Sequence, residues 1–255
     1  MKSNSDYKRV FGLIGYPLTH SFSHTFFNQK FESEHIDAVY VNFEIPRISD
    51  LAEIIAANRN LAGFNVTIPY KEQIFEYLDA VDPEAREIGA VNVVKVFHQP
   101  DGSRSLKGYN SDSIGFGDSI RPMLTPDIHR RALILGTGGA SKAVEFALRK
   151  LGLDTIKVSR TKSPGVLTYT ELTPEVMATH HVIVNTTPLG MYPHVDECPD
   201  IPYHLLTPDH ICYDLLYNPD ITLFMRKSAE RGATVKNGLE MLLLQAFVSW
   251  NIWNK

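Results

Sequence analysis

The sequence predicts an α/β protein built on two largely parallel sheets. Three observations predict it. Strand-like and helix-like runs alternate from residue 10 onward, a glycine-rich turn joins a buried strand to an amphipathic helix near residue 136, and a proline-marked break separates two such series. In the first series residues 10–14, 39–43 and 64–68 read as strands, each followed by a helix-like stretch: 23–33, 48–57 and a run ending at 77. Residues 91–96 and 105–109 flank Asp101-Gly102, a good hairpin turn. A helix then starts within YNSDSIGFGDSI, and beyond Pro122 and Pro126 the second series has strands at 132–135, 155–158, 182–185, 211–214 and 233–235. The last element, 238–250, is apolar almost throughout and reads as a buried helix. The domain boundary falls within 108–113.

Bulk properties narrow the functions. With 255 residues, 44% hydrophobic and 21% charged, the chain can bury one large core or two smaller ones. A net charge of −4 argues against nucleic acid or an anionic membrane as partner and favours a small molecule. Two cysteines, Cys198 and Cys212, make no disulfide framework and fit a reducing compartment. The polar N-terminus lacks the apolar core of a signal peptide, and no apolar run approaches a membrane span, so a cytoplasmic location is expected.

RALILGTGGASKAVEFALRKLG is a strand, a glycine turn and a helix in that order, the context in which a glycine pattern signals dinucleotide binding. Gly136 permits the tight turn, Gly138 and Gly139 let backbone approach a pyrophosphate, and the helix N-terminus favours its charge. Ser141 takes the place of the third glycine; a ligand-free tight turn is the competing reading. The next strand ends in Ser159, Arg160, Thr161 and Lys162, where an NAD site would carry Asp or Glu. Cations there attract a ribose 2′-phosphate, and the expected cofactor is NADP in a Rossmann-like domain.

GFNVTIPYKEQ, residues 63–73, poses a question: why should a strand end on an asparagine, a threonine and a lysine? Period-2 alternation puts Val66 and Ile68 on one face and Asn65 and Thr67 on the other, and Pro69 ends the ladder. Lys71 opens a short helix, where a cation is disfavoured unless something anionic lies near. A solvated surface lysine is the plain alternative. Ser21 and Ser23 in LTHSFSHTFFN, and Asp112 in KGYNSDSIGFG, stand at helix starts where each alone reads first as a cap. His20 and His24 are four apart, but with no third ligand or HExxH pattern no metal site is expected.

Taken together, GFNVTIPYK, GAVNVV, GTGGAS, SRTK, NTTPLGM, DLLYNPDIT and NGLEMLLLQA, in this order and with the two serine- and aspartate-bearing stretches, resemble the shikimate dehydrogenase family over essentially the whole chain. The resemblance implies reversible NADPH-linked reduction of 3-dehydroshikimate to shikimate. It also implies two domains, 1–112 with 238–255 binding substrate and 113–237 binding NADP, the C-terminal helix returning to the first. Matched positions make Lys71 and Asp112 the catalytic pair and Ser21 and Ser23 ligands of the substrate carboxylate. Thr67, Asn92 and Gln245 become partners of the ring hydroxyls. Gly136, Gly138, Gly139 and Ala140 match the pyrophosphate turn, and Ser159, Arg160 and Thr161 the adenosine-phosphate motif. Asn185, Thr186 and Leu189 lie along the cofactor, with Tyr217 and Gly238 near nicotinamide and substrate. Three positions depart from the pattern: His24 stands for Pro, Phe27 for His and Ser159 for Asn.

Such a reaction needs one proton managed beside hydride transfer: a lysine ammonium stabilises the forming alkoxide and protonates it, an aspartate orienting it. Alternative readings are a quinate/shikimate dehydrogenase with relaxed substrate or cofactor choice, and a non-catalytic dinucleotide-binding sensor. The chain is expected to be a monomer or homodimer.

Overall fold

The computed structural model describes residues 3–18 and 21–255, so His20 lies outside the described residues. The chain divides into two compact units, one formed by the chain up to Ser111 together with Ala246–Lys255, the other by Asp112–Gln245. Compared with the expected boundaries, Asp112 and residues 238–245 group with the second unit. The reason is packing: Phe116 and Met241 belong to that unit's core, beside Ala132, Val144 and Tyr213.

The first unit carries strands β1 (Arg9–Gly15), β2 (Ala38–Glu44), β3 (Leu61–Val66), β4 (Ala80–Val81), β5 (Val93–His98) and β6 (Arg104–Tyr109), with helices α1 (Phe22–Ser33), α2 (Leu51–Ala57) and α3 (Pro83–Ile88). Its sheet order is β2-β1-β3-β5-β6-β4. The pairs β1 with β2, β1 with β3 and β4 with β6 are parallel, whereas β5 pairs antiparallel with β3 and β6. The hairpin expected at Asp101-Gly102 forms, with Gly102 at φ 84 and Asp101 Oδ1 accepting the Ser103 N–H at 2.9 Å.

The strand of the NVT motif begins and ends earlier than its alternation suggests. β3 stops at Val66, and Thr67 turns away to give its N–H to Ile14 (2.9 Å) while its carbonyl accepts the Tyr70 N–H at 2.9 Å. Ile68 is therefore not a partner of Val66 in the core; it is 71% exposed, whereas Val66 is buried. Pro69 has no N–H for a ladder, so the pleat ends before Ile68. The helix expected from Lys71 is a 3₁₀ turn spanning Gln73–Tyr77, and Lys71 precedes it.

The second unit has strands β7 (Arg131–Leu135), β8 (Asp154–Ser159), β9 (Val166–Thr168), β10 (Val182–Asn185), β11 (Ile211–Asp214) and β12 (Thr234–Lys236), with helices α4 (Asp112–Ile120), α5 (Gly139–Lys150), α6 (Pro174–Met177) and α7 (Leu223–Ala229). The order is β12-β11-β10-β7-β8-β9, with every pairing parallel. This is an open Rossmann-like sheet, whose central strands β7, β10 and β11 are mostly buried because both faces are covered, whereas β8 and β12 are partly exposed. β9 was absent from the expected elements because three residues carry too little periodicity to read.

Helix α8 (Leu239–Asn254) begins in the second unit and ends in the first. Its last turns complete an aromatic core in the first unit. Trp253 packs on Phe11 and Phe27 at ring-centroid distances of 4.8 and 5.4 Å, and its indole N–H donates to the Val94 carbonyl at 3.0 Å. Removing that ring leaves a cavity and takes one donor from the Val94 carbonyl, so Trp253→Ala should lower unfolding stability by about 3–5 kcal/mol. Urea unfolding reads it; a loss under about 1 kcal/mol would contradict this packing.

At the N-terminal ends of the second sheet's strands lie three buried histidines, His129, His180 and His210. Burial lowers the pKa of His180 and His210, beside charges on Arg131, Asp154, Asp209 and His181. The unfolded chain then binds more protons than the folded one below the ordinary histidine value of about 6.5. Stability is complete above that pH and falls as pH drops through it. Thermal melts should decline from pH 7 to pH 5 in the native protein and less steeply in His210→Gln; identical slopes would refute the assignment.

Candidate active site

In each unit most of the sequence-predicted residues follow the C-terminal ends of that unit's parallel strands, while Ser23, Asp112 and Gln245 lie on helices. In the first, Ser21 is the N-cap of α1: its Oγ accepts the His24 N–H at 3.1 Å. A proline at that position has no N–H to give, so His24 commits one lone pair of Ser21 to the helix. Ser23 is buried in the first turn and hydrogen-bonds the Tyr40 hydroxyl, whose pKa is driven up by burial. Phe27, which stands where the family pattern has His, is fully buried and stacks on Tyr40 at 4.9 Å as part of the core.

Tyr40, Ser111 and Ser249 were not singled out by the sequence, yet with Asn65 and Asn92 they form a continuous buried network. The Tyr40 hydroxyl donates to Asn65 Oδ1 at 2.8 Å. Asn65 Nδ2 donates to the Asn92 carbonyl at 3.1 Å and to Ser249 Oγ at 3.0 Å. Asn92 is held from its other end: its Oδ1 accepts the Ser111 N–H at 2.7 Å and its Nδ2 donates to Ser111 Oγ at 3.0 Å. The Lys71 carbonyl accepts the Val91 N–H at 2.8 Å, which places Lys71 beside the Asn92 segment. Thr67 is half-buried against Gly15, where a Cβ would come within 2.4 Å of Thr67 Cγ2. Thr67, Lys71 and Asn92 thus share one edge of the first sheet. Asn65, placed by alternation on a polar face, is a structural hub.

In the second unit the glycine turn follows β7. Gly136 has φ +116, and its N–H donates to the Val158 carbonyl at 2.8 Å. Gly138 caps α5 without any side-chain cap bond, and a Cβ there would meet open space. Gly139 and Ala140 form the first turn. Ser141 is buried and its hydroxyl donates to the Gly138 carbonyl at 2.6 Å, so the missing third glycine is replaced by a bonded serine. At the end of β8, Ser159 Oγ accepts the Thr161 N–H at 3.3 Å, closing the turn that an asparagine would also close. Arg160 is exposed, and no carboxylate of the described residues pairs with it. Lys162 differs: its ammonium is bound by Glu171 at 2.5 and 2.7 Å, leaving Arg160 as the cation at this strand end. An uncapped helix start with open space at Gly138 and a nearby guanidinium fits a phosphorylated dinucleotide.

Further along the edge, the Thr186 hydroxyl donates to the Leu135 carbonyl at 2.7 Å, and the Leu189 N–H reaches Thr187 Oγ1 at 3.3 Å. Asn185 is wholly buried, its Oδ1 accepting from Thr187 Oγ1 at 2.7 Å and its Nδ2 donating to Asp214 Oδ1 at 3.0 Å. The side chain therefore shapes the loop. Tyr217 is 38% exposed with its hydroxyl pKa raised by burial, and the Gly238 N–H donates to the Leu216 carbonyl at 2.9 Å beside it. Gln245 is buried on α8 and donates to the Leu242 carbonyl at 2.8 Å; Asp112 is the buried first residue of α4. Lys71 belongs to the first unit and Asp112 to the second.

Residues 13–94 match the family described as the shikimate dehydrogenase substrate binding domain. A shikimate dehydrogenase (NADP(+)) of Carboxydothermus hydrogenoformans is 37% identical over 268 aligned residues, spanning 99% of this chain and 94% of the relative. The chain belongs to the shikimate dehydrogenase family. Solved members of the family share its fold. Shikimate 5-dehydrogenase of Thermus thermophilus, determined with NADP(H) and shikimate, superimposes with a TM-score of 0.82 at 31% identity, covering 96% of this chain and 93% of that one. Shikimate 5-dehydrogenase of Listeria monocytogenes, determined with shikimate and NAD, gives 0.80 at 28% identity, covering 97% and 92%.

Within this family framework the glycine turn is sterically strict. A Cβ at Gly136 would lie 2.6 Å from Thr186 Oγ1 and demand a left-handed backbone from an L residue. Gly136→Ala should cost about 1–3 kcal/mol of stability by urea unfolding. An unaltered midpoint would show that the turn has room to relax.

Proposed function

We propose that the chain catalyses the reversible, NADP-linked reduction of 3-dehydroshikimate to shikimate. What carries the reading is family membership from end to end combined with the free-standing Arg160 beside the uncapped start of α5. NADPH, when bound, supplies the hydride. Gly136, Gly138, Gly139 and Ala140 hold its pyrophosphate, Ser159, Arg160 and Thr161 its adenosine phosphate, and Asn185, Thr186, Leu189 and Gly238 border its remaining length. Ser21 and Ser23 bind the substrate carboxylate; Thr67, Asn92, Tyr217 and Gln245 hold its ring. Ser21 does so as a donor, since its oxygen already accepts from His24.

Lys71 protonates the alkoxide formed at the reduced carbonyl and takes the proton back in the oxidative direction, with Asp112 as its acidic partner. A cytoplasmic location belongs to the same reading and is supported by two free thiols, Cys198 and Cys212.

A second reading, relaxed cofactor choice, draws support from Lys162. Because its ammonium is held by Glu171, a single cation remains to favour the 2′-phosphate. Following NADPH and NADH absorbance with 3-dehydroshikimate, and NADP and NAD with shikimate and quinate, separates these readings; no turnover with any pair would favour a dinucleotide-binding sensor.

Lys71→Ala should lower kcat by about 10²–10⁴-fold with the KM for shikimate changed only slightly, and Asp112→Asn should impair both. Steady-state kinetics showing normal turnover by Lys71→Ala would overturn the assignment.

A further inference from the structure

Asp214 is a carboxylate with no solvent exposure at the end of β11, and none of the roles above uses it. Burying such a group is costly unless every lone pair that matters is bonded. Asp214 meets that requirement with three donors from three different places. Its Oδ1 accepts the Asn185 Nδ2–H at 3.0 Å and the Leu216 N–H at 3.1 Å, and its Oδ2 accepts the Thr222 hydroxyl at 2.6 Å. Asn185 in turn accepts from Thr187, which accepts from the Leu189 N–H. One carboxylate therefore ties the 186–189 loop to the 215–222 loop and to the N-cap of α7, where Thr222 also accepts the Met225 N–H at 3.3 Å.

The burial is expensive. It pushes the Asp214 carboxyl up to about 6 against the opposing pull of Thr222, Leu216 and Asn185. Removing the carboxyl alone would leave three buried donors without their acceptor, so its role lies in the loops those donors belong to.

We propose that Asp214 is a positioning residue that fixes, through one set of hydrogen bonds, both loops bordering the far half of the dinucleotide. The proposal rests on the NADP reading above. It concerns hydrogen-bonding geometry, so an amide should replace the carboxylate: an Asn oxygen can keep the two donors on Oδ1, while its Nδ2 donates to a rotated Thr222 hydroxyl.

The test combines calorimetric binding of NADP and of 2′,5′-ADP with backbone hydrogen exchange of the ligand-free protein, on Asp214→Ala, Asp214→Asn, Thr222→Val and Thr222→Ser. Asp214→Ala should weaken NADP at least about tenfold while 2′,5′-ADP, which lacks the nicotinamide half, stays within about twofold. Exchange should rise together in residues 186–189 and 215–222. Asp214→Asn should restore both readouts. Thr222→Val should loosen 215–222 alone and Thr222→Ser should match the native protein, which keeps the proposal decidable where Asp214→Ala does not fold. Unchanged exchange in Asp214→Ala or Thr222→Val, or an Asp214→Asn protein as impaired as Asp214→Ala, would overturn it. A native protein that binds neither nucleotide would instead refute the cofactor reading, leaving the exchange results to judge the loops.

Discussion

A polar side chain buried where a strand ends has no water to bond and must find its partners in neighbouring loops. The consequence is that loops which sequence alone would leave adaptable become fixed. In the first unit Asn65 performs this service, its carboxamide bonding to Tyr40, the Asn92 carbonyl and Ser249. In the second unit Asn185 and Asp214 perform it, linking β10 to β11 through their side chains as well as through the ladder. Asn92, proposed above to hold the substrate ring, is thereby fixed before any ligand arrives, which is what efficient positioning of two reactants requires.

This constraint also explains how departures from the family pattern are tolerated. Phe27 adds a ring to a cluster that already includes Tyr40 and Trp253, so an apolar residue suits the site. Ser159 keeps the turn-closing bond to Thr161 with a shorter side chain. Ser141, which departs only from the general dinucleotide glycine pattern, likewise bonds the turn it would otherwise crowd.

Much of the architecture was legible because apolar periodicity and turn chemistry are local. The βα rhythm, the Asp101-Gly102 hairpin and the strand-turn-helix at Gly136 depend on residues close in sequence. Long-range facts were not legible. Asn65 finds Ser249 across 184 positions, and Asp214 depends on Thr222 and Asn185 together, so neither reads as more than a polar residue near a strand end. Ile68 misled because alternation continues in the sequence after the ladder has stopped. The two-residue β4 and three-residue β9 are set by neighbouring strands and leave no periodic trace. Lys162 looked like a phosphate reader because Glu171, nine positions on, lies on another element.

The buried amides of Asn65, Asn92 and Asn185 are bonded on both sides in the ligand-free protein and are therefore fixed there. Side-chain carboxamide hydrogen exchange of Asn65, Asn92 and Asn185, resolved by NMR, measures it most directly. Protection comparable to that of adjacent strand amides is expected before NADP or shikimate is added. Carboxamide protons exchanging as fast as those of exposed asparagines, with protection appearing only on ligand binding, would contradict it.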